Sequence, residues 1–279
     1  MLKIGDYNTL KIIKSTEQGY YLESFLGEIL LPGKYITPDM AVGDEITVFI
    51  YRDSEDRLIA TTEKPLAKVG DFAYLQVKDI NRTGFFLDWG LSKDLLLPYR
   101  EKRGQMKKGE SYVVKVLLDP ITERIIASAR LEHYFANDEL DLAEGDEVEA
   151  LIYHISNLGY QAVVNQRYHG LIYRNQVFTA LKVGDTVQGI VKKIREGNKL
   201  DIMLPRHFKE ERLNAQEEIL QLLEKNNGFL PWNDKTDPEA IKRELQISKK
   251  TFKKAIGGLY KQRKIIIKEN GIYFPENAE

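Results

Sequence analysis

Hydrophobic and polar positions alternate in short runs over the first two hundred residues, and the runs recur in three blocks. Block one begins IGDYNTLKIIKSTEQGYYLES and ends VGDEITVFIYRDSEDRLIATT. Block two begins VGDFAYLQVKDINRTGFFLDW and ends KGESYVVKVLLDPITERIIAS. Block three begins EGDEVEALIYHISNLGYQAVV and ends VGDTVQGIVKKIREGNKLDIM. Each opens with a Gly-Asp turn and an apolar strand. A second turn carries glycine and then an aromatic: Gly19-Tyr20, Gly84-Phe85, Gly159-Tyr160. An apolar run follows (GEILLP, KDLLLP, HGLIYR), and then two final strands joined by a charged turn. Period-2 runs bounded by Gly, Asp and Asn predict about five strands per block with no long helix between them. Five short strands at this spacing fit a small closed barrel of the OB-fold type.

After Pro205 the period changes. EERLNAQEEILQLLEKNNG sets Leu213, Ile219, Leu220, Leu222 and Leu223 largely on one helical face and ends at Asn-Gly. DPEAIKREL predicts a second helix, with Asp237 as N-cap and Pro238 at the first helical position. ISKKTFKKAIGGLYKQRK predicts a third, capped by Ser248. IIIKENGIYF predicts a hairpin turning at Asn270-Gly271. Helix, helix–turn–helix, hairpin is the order of a winged helix. The expected architecture is therefore multidomain and mainly β. Three tandem five-stranded OB-fold barrels, over 1–62, 63–136 and 143–206, precede a winged-helix α/β domain over 207–279.

Alternation also singles out one side chain. In NRTGFFLDWG, Phe85, Leu87 and Trp89 share one strand face, and Phe86 and Asp88 the other. If Leu87 and Trp89 are core, Phe86 points away from it. The repeats align Phe86 with Tyr21 in block one. In block three the match is Gln161 without a gap or Tyr160 with a shift of one. A ring on the open wall of a barrel can stack on a nucleobase; it can equally cover a neighbouring block or fill a barrel end. The turn between the last two strands carries Asp53 and Arg57 in block one, and Asp119 and Arg124 in block two. Such an arginine can meet a phosphate or a base, with the aspartate orienting it, or it can form a solvated surface pair. Block three has Arg195 and Lys199 at its turn and no matching aspartate.

The glycine–aromatic turn, the G-L-[IV]-like strand, G-D and D-x-x-x-R-[IL]-x-x-S together resemble the RNA-binding repeat of ribosomal protein S-one. That resemblance implies RNA-facing roles for Tyr21, Phe86, Arg57 and Arg124, with Asp53 and Asp119 beside them. Where the repeat has an aromatic before the glycine, this chain has Gln18, Thr83 and Leu158. Where it has a histidine ending G-L-[IV]-H, Tyr173 stands in block three as a stacking substitute, and Leu31 and Leu97 are read as the counterparts in the other blocks. Three degenerate copies and a winged helix are similar to the conserved virulence factor B family of bacteria. This implies an RNA-binding regulator of gene expression without catalysis.

Charge ranks the modules. Six basic residues face ten acidic ones over 1–62, thirteen face ten over 63–132, and eight face three over 150–206. Residues 245–268 hold eight basic residues and no acidic one. Phosphate binding needs local cations, so block one reads as a packing or positioning module. Lys192, Lys193 and Lys199 of block three are candidate contacts, as are Lys249, Lys250, Lys253 and Lys254 of the tail. The last four share one side of the recognition-helix position, with Phe252, Ile256 and Leu259 turned inward. Lysines position on phosphate and specify little.

With 279 residues, a formal charge of −1, 43% hydrophobic residues and no cysteine, the chain reads as a globular protein of a reducing cytoplasm, without disulfides. The N-terminus lacks the apolar run of a signal peptide, and no run of eighteen apolar residues occurs. No phosphate-cradling or dinucleotide motif is present, and the four histidines lack metal-ligand spacing. The expected function is non-enzymatic binding of single-stranded RNA, with no cofactor, no metal and no membrane partner. A DNA-binding transcription regulator, or an adaptor docking on a nuclease or ribosome, is the alternative.

Overall fold

The computed structural model describes residues 2–136, 139–177, 180–245, 247 and 249–275. The chain divides into two compact units, Met1–Phe135 and Ala136–Glu279.

The first unit holds two barrels. In barrel one, β1 (Tyr7–Thr16), β2 (Gly19–Leu22), β3 (Ile29–Pro32), β4 (Glu45–Arg52) and β5 (Leu58–Thr61) close in the order β1-β2-β3-β5-β4. Barrel two repeats this with β6 (Phe72–Ile80), β7 (Gly84–Asp88), β8 (Leu95–Pro98), β9 (Ser111–Leu118) and β10 (Ile125–Ser128). In the second unit, barrel three is built the same way from β11 (Glu147–Ile155), β12 (Gly159–Val164), β13 (Tyr168–Tyr173), β14 (Thr186–Arg195) and β15 (Lys199–Met203). Each barrel closes through one parallel pairing of its third and fifth strands: Leu30 with Ile59, Leu96 with Ile126, Leu171 with Asp201.

Two local devices recur because closure demands them. The first strand of every barrel pairs with two neighbours, and a register shift bends it between Ile12 and Lys14, Val77 and Asp79, and Ile152 and His154. Bulges supply that bend and twist. The glycine of each Gly-aromatic turn lets the second and third strands close up. A Cβ at Gly84 would lie 2.3 Å from the Leu97 carbonyl oxygen, and at Gly19 2.1 Å from that of Leu31. No side chain fits there.

The last strand of barrel three leads straight into α1 (Pro205–Lys225), longer at its start than the apolar pattern suggested. Proline at the first helical position suits this, since its missing N–H would be unpaired there anyway. Next come β16 (Phe229–Leu230), α2 (Pro238–Leu245), α3 (Lys249–Lys261), β17 (Ile266–Lys268) and β18 (Gly271–Tyr273). The predicted hairpin is part of a three-stranded sheet, β16-β18-β17, with Glu269 and Asn270 between its strands. The Asp237 carboxylate accepts the backbone N–H groups of Glu239 and Ala240, both at 3.2 Å, and caps α2 as expected. The cap expected at Ser248 lies outside the described residues. Ile219, Leu223, Ile241, Phe252, Ile256, Leu259 and Ile272 form the winged-helix core. Among the described residues no helix is long and apolar enough to cross a membrane.

Candidate nucleic-acid interface

The register answers which residue of barrel three matches Phe86. Tyr21 faces Lys14, Phe86 faces Asp79 and Gln161 faces His154 across equivalent hairpins. Gln161 is therefore the counterpart, without a gap. Tyr160 is equivalent to Tyr20 and Phe85. It is 6% exposed and packed in the core of barrel three with Ala162, Ile172 and Leu200, so its placement among the RNA-stacking residues is corrected: a ring enclosed by core side chains offers no open face.

A second alignment also shifts. Gly19, Gly84 and Gly159 pair with Pro32, Pro98 and Tyr173. Tyr173 thus corresponds to the prolines, not to Leu31 and Leu97, which are fully buried barrel core. The prolines give barrels one and two no aromatic ring and no side-chain polar group at the position where barrel three has a phenol.

In each barrel an aromatic ring lies near an arginine of the last hairpin, which follows the turn in barrels one and two and ends β14 in barrel three. In barrel one Tyr21 is half-buried, with the Lys14 ammonium 4.9 Å from its ring centroid. Arg57 pairs with Asp53 as the sequence suggested, Nε to Oδ2 at 2.9 Å, and also with Glu55 at 2.9 Å. Tyr21 lies within electrostatic reach of that guanidinium.

In barrel two Leu87 and Trp89 are core and Phe86 is half-buried, lining a cleft together with Arg124. Arg124 is not oriented by Asp119, contrary to expectation; it pairs with Asp56 of barrel one. The Asp119 carboxylate is turned inward. It accepts the backbone N–H groups of Ile121 and Thr122 at 2.9 and 3.1 Å, and the Arg100 guanidinium at 2.7 Å. Those two backbone bonds, and then Arg100, hold its carboxyl below the usual carboxylate range. Its role is to shape the turn, and as a direct RNA contact it is corrected: the side chain is only 8% exposed.

Barrel three is organised differently from either. Arg195 forks onto Asp201, with Nε 2.8 Å from Oδ1 and a terminal nitrogen 2.7 Å from Oδ2. The same guanidinium donates to the Tyr173 hydroxyl at 2.8 Å. The aspartate missing from this turn is thus supplied from β15. Arg195 faces Lys199, and Lys193 faces Asp201, in the β14–β15 hairpin. Cross-strand neighbours share a face, which places Lys193, Lys199 and Arg195 around Tyr173. Lys192, Lys193 and Lys199 are all exposed.

Sequence reasoning passed over Arg195 and Asp201 as a pair. Strand register was the available signal, since the two sit diagonally across a hairpin. It also missed Arg52, Asp56 and Lys93. Those three gain meaning only from the packing of barrel one on barrel two, which no local pattern announces.

The four tail lysines do not form one solvent-facing row. Phe252, Ile256 and Leu259 are buried as expected, and Lys253 is exposed, but Lys249 and Lys254 are half-buried. Lys250 donates to Asp146 of barrel three at 2.7 Å, its side chain lying against Gly145. Lys250 is therefore corrected from nucleic-acid contact to interdomain ion pair. The N-terminal end of α3, which leads into the major groove in a helix–turn–helix, is docked on the chain's own third barrel.

Residues 4–63 match the S1 domain family, and residues 217–274 match the CvfB-like winged helix domain family. The chain is 29% identical to the protein named YitL of Bacillus subtilis, over 97% of this chain and 93% of that one. It is 28% identical to Conserved virulence factor B of Staphylococcus aureus, over 96% and 92%. A solved multidomain protein with nucleic acid binding domains from Streptococcus pneumoniae covers 97% of this chain and 98% of its own, at 24% identity and a TM-score of 0.43. Barrels of this type and winged helices are nucleic-acid-binding architectures.

Proposed function

We propose that this member of the conserved virulence factor B family is a non-enzymatic RNA-binding regulatory protein, acting on gene expression after transcription. One observation carries the reading: each barrel sets an aromatic ring near an arginine of its last hairpin, Tyr21 with Arg57 and Phe86 with Arg124 at equivalent positions, and Tyr173 with Arg195 at different positions in barrel three.

A flat ring beside a guanidinium suits an unpaired nucleotide. The base stacks and the cation meets the adjoining phosphate, whatever the base. Barrel three is the strongest of the walls. Its arginine is held rigid by Asp201, yet half its surface remains open, and Lys193 and Lys199 widen the cationic surface. The preference is for single-stranded RNA, because a half-buried ring can stack only on a base that is itself unstacked. The ion pair of Lys250 favours RNA over duplex DNA, since it removes a cation from the helix that would enter a groove.

Fluorescence anisotropy of the full chain with a labelled unstructured RNA, competed by duplex DNA of equal length, tests this reading. Preferential displacement by the duplex would overturn it.

A further inference from the structure

In barrel one, β1 is longer than the strand that covers it. Its residues 7–11 pair with β4, and β2 reaches back only as far as Ile12, where Leu22 is its last partner. Ile12 turns its peptide groups toward the start of β4: its N–H donates to the Asp44 carbonyl and its carbonyl accepts the Gly43 N–H, both at 2.8 Å. Peptide groups alternate in direction along a strand, so those of Lys11 and Thr9 point to the opposite edge. There the Lys11 carbonyl accepts the Glu23 N–H at 2.9 Å. The N–H and carbonyl of Thr9 have no strand beside them among the described residues.

Barrel three closes the same place. Counted from the register shift, Glu149 is the counterpart of Thr9. Its N–H donates to the Asn165 side-chain oxygen at 2.8 Å, and its carbonyl accepts the Asn165 N–H at 2.9 Å. In barrel one the chain turns away before it can do this. The Ser24 hydroxyl donates to the Gly27 carbonyl at 2.7 Å and accepts the Leu26 N–H at 3.2 Å. This turn holds Phe25 and Leu26 outward, 67% and 57% exposed. Between the turn and the open edge lies a groove of about 580 Å³, lined by Leu2, Leu10, Phe25, Thr9 and Glu23 among others.

We infer that this groove docks another protein, through an extended segment of alternating apolar and basic side chains that adds as a strand beside residues 7–11 of β1.

An open strand edge offers its N–H and carbonyl groups to an incoming strand, and side chains at alternate positions then meet the surface beside it. Here that surface is Leu10 and Phe25. Charge selects the occupant. Glu23 is the one charged side chain lining the groove, it is exposed, and no cation pairs with it. Ten acidic residues face six basic ones over 1–62. RNA would be repelled by this surface. The Tyr21 ring also leans away from it, its hydroxyl reaching back to Gln18 at 3.4 Å beside the β1–β2 turn. A second copy of the chain would set one acidic barrel against another. A basic, apolar strand meets all three features at once: the ladder at Thr9, the apolar side chains, and the carboxylate of Glu23.

Peptides of random sequence displayed on phage, selected on the immobilised full chain and in parallel on full-length Phe25→Ser and Glu23→Lys, test this. Both substituted side chains are exposed, and thermal melting checks that each variant is folded. The full chain should enrich peptides that alternate apolar residues with lysine or arginine, and Glu23→Lys should shift the enrichment toward acidic ones. A synthetic copy of an enriched peptide should bind in calorimetry, lose about tenfold or more in affinity to Phe25→Ser, and slow hydrogen exchange at the Thr9 amide. A proline at its centre should abolish binding. Failure to enrich any sequence, equal binding by Phe25→Ser, or binding that leaves Thr9 unprotected overturns the site. Self-association of the full chain that Phe25→Ser abolishes would assign the edge to a second copy, and weaker RNA binding by Phe25→Ser would assign the groove to nucleic acid; either overturns the proposal. Phe25→Ser is expected to leave RNA affinity unchanged, so the docking site and the RNA reading stand or fall separately.

Discussion

The Lys250 ammonium, on the helix that a helix–turn–helix would present to DNA, lies 2.7 Å from a carboxylate oxygen of Asp146 in barrel three. The pair joins two domains of the second unit at a turn where a Cβ on Gly145 would run into the Lys250 side chain. Both partners are more than a third exposed, so water and salt weaken the bond. A double-mutant cycle with Lys250→Ala and Asp146→Asn is expected to give a coupling of about 0.2–1 kcal/mol, read from denaturant unfolding. Zero coupling would remove the pair as a fastener.

The same pair has a pH signature. The Lys250 hydrogen bond, then the backbone N–H of Ala143, lowers the Asp146 pKa in the folded state. The stabilisation is present above the carboxylate's unfolded value and is lost as pH falls through the depressed folded one. Amide protection at the start of α3, taken relative to the intrinsic exchange rate at each pH, should fall on acidification from the ordinary carboxylate range through the depressed folded value, and Asp146→Asn should abolish the dependence. An unchanged profile in the variant would assign the effect elsewhere.

Tyr173 and Arg195 separate stacking from hydrogen bonding. Tyr173→Ala is expected to weaken RNA binding about tenfold. Tyr173→Phe keeps the ring and loses the 2.8 Å bond to Arg195, so its effect should be several-fold smaller. Equal losses would mean that the hydroxyl, not the ring, matters.

Counterion release distinguishes the cations. Removal of Lys253 or Lys199, both exposed, should lower the salt dependence of RNA binding by about 0.7 in slope for each phosphate no longer neutralised. Lys250→Ala should leave the slope unchanged, since that charge is already neutralised by Asp146. A slope change for Lys250 equal to that for Lys253 would place both on the nucleic acid.

Two core substitutions check the barrel reading. Gly84→Ala forces a Cβ to 2.3 Å from the Leu97 oxygen in a backbone region suited to glycine, and should destabilise the first unit by about 1–3 kcal/mol. Tyr160→Ala should cost about 3–5 kcal/mol as a large core truncation, whereas Gln161→Ala should leave melting unchanged. Thermal denaturation of the three variants reads this directly.

The period of the apolar residues alone determined the barrels and the winged helix. Alternation at Phe85, Leu87 and Trp89 placed the core face of β7, and the spacing of Phe252, Ile256 and Leu259 placed that of α3. Such patterns are local: each strand or helix must hide one face whatever its neighbours do. Register was the first thing they left open. Whether Gln161 or Tyr160 matches Phe86 differs by one residue, and only the hydrogen-bonded partner across the hairpin settles it. Pairings between distant residues were the second. Arg124 finds Asp56 rather than Asp119, Arg195 finds Asp201, and Lys250 finds Asp146, because an ion pair depends on which surfaces packing brings within a few ångströms. Residues far apart in sequence carry no period that records this. The three-dimensional packing of barrel on barrel and helix on barrel decided which charges remain available to a ligand.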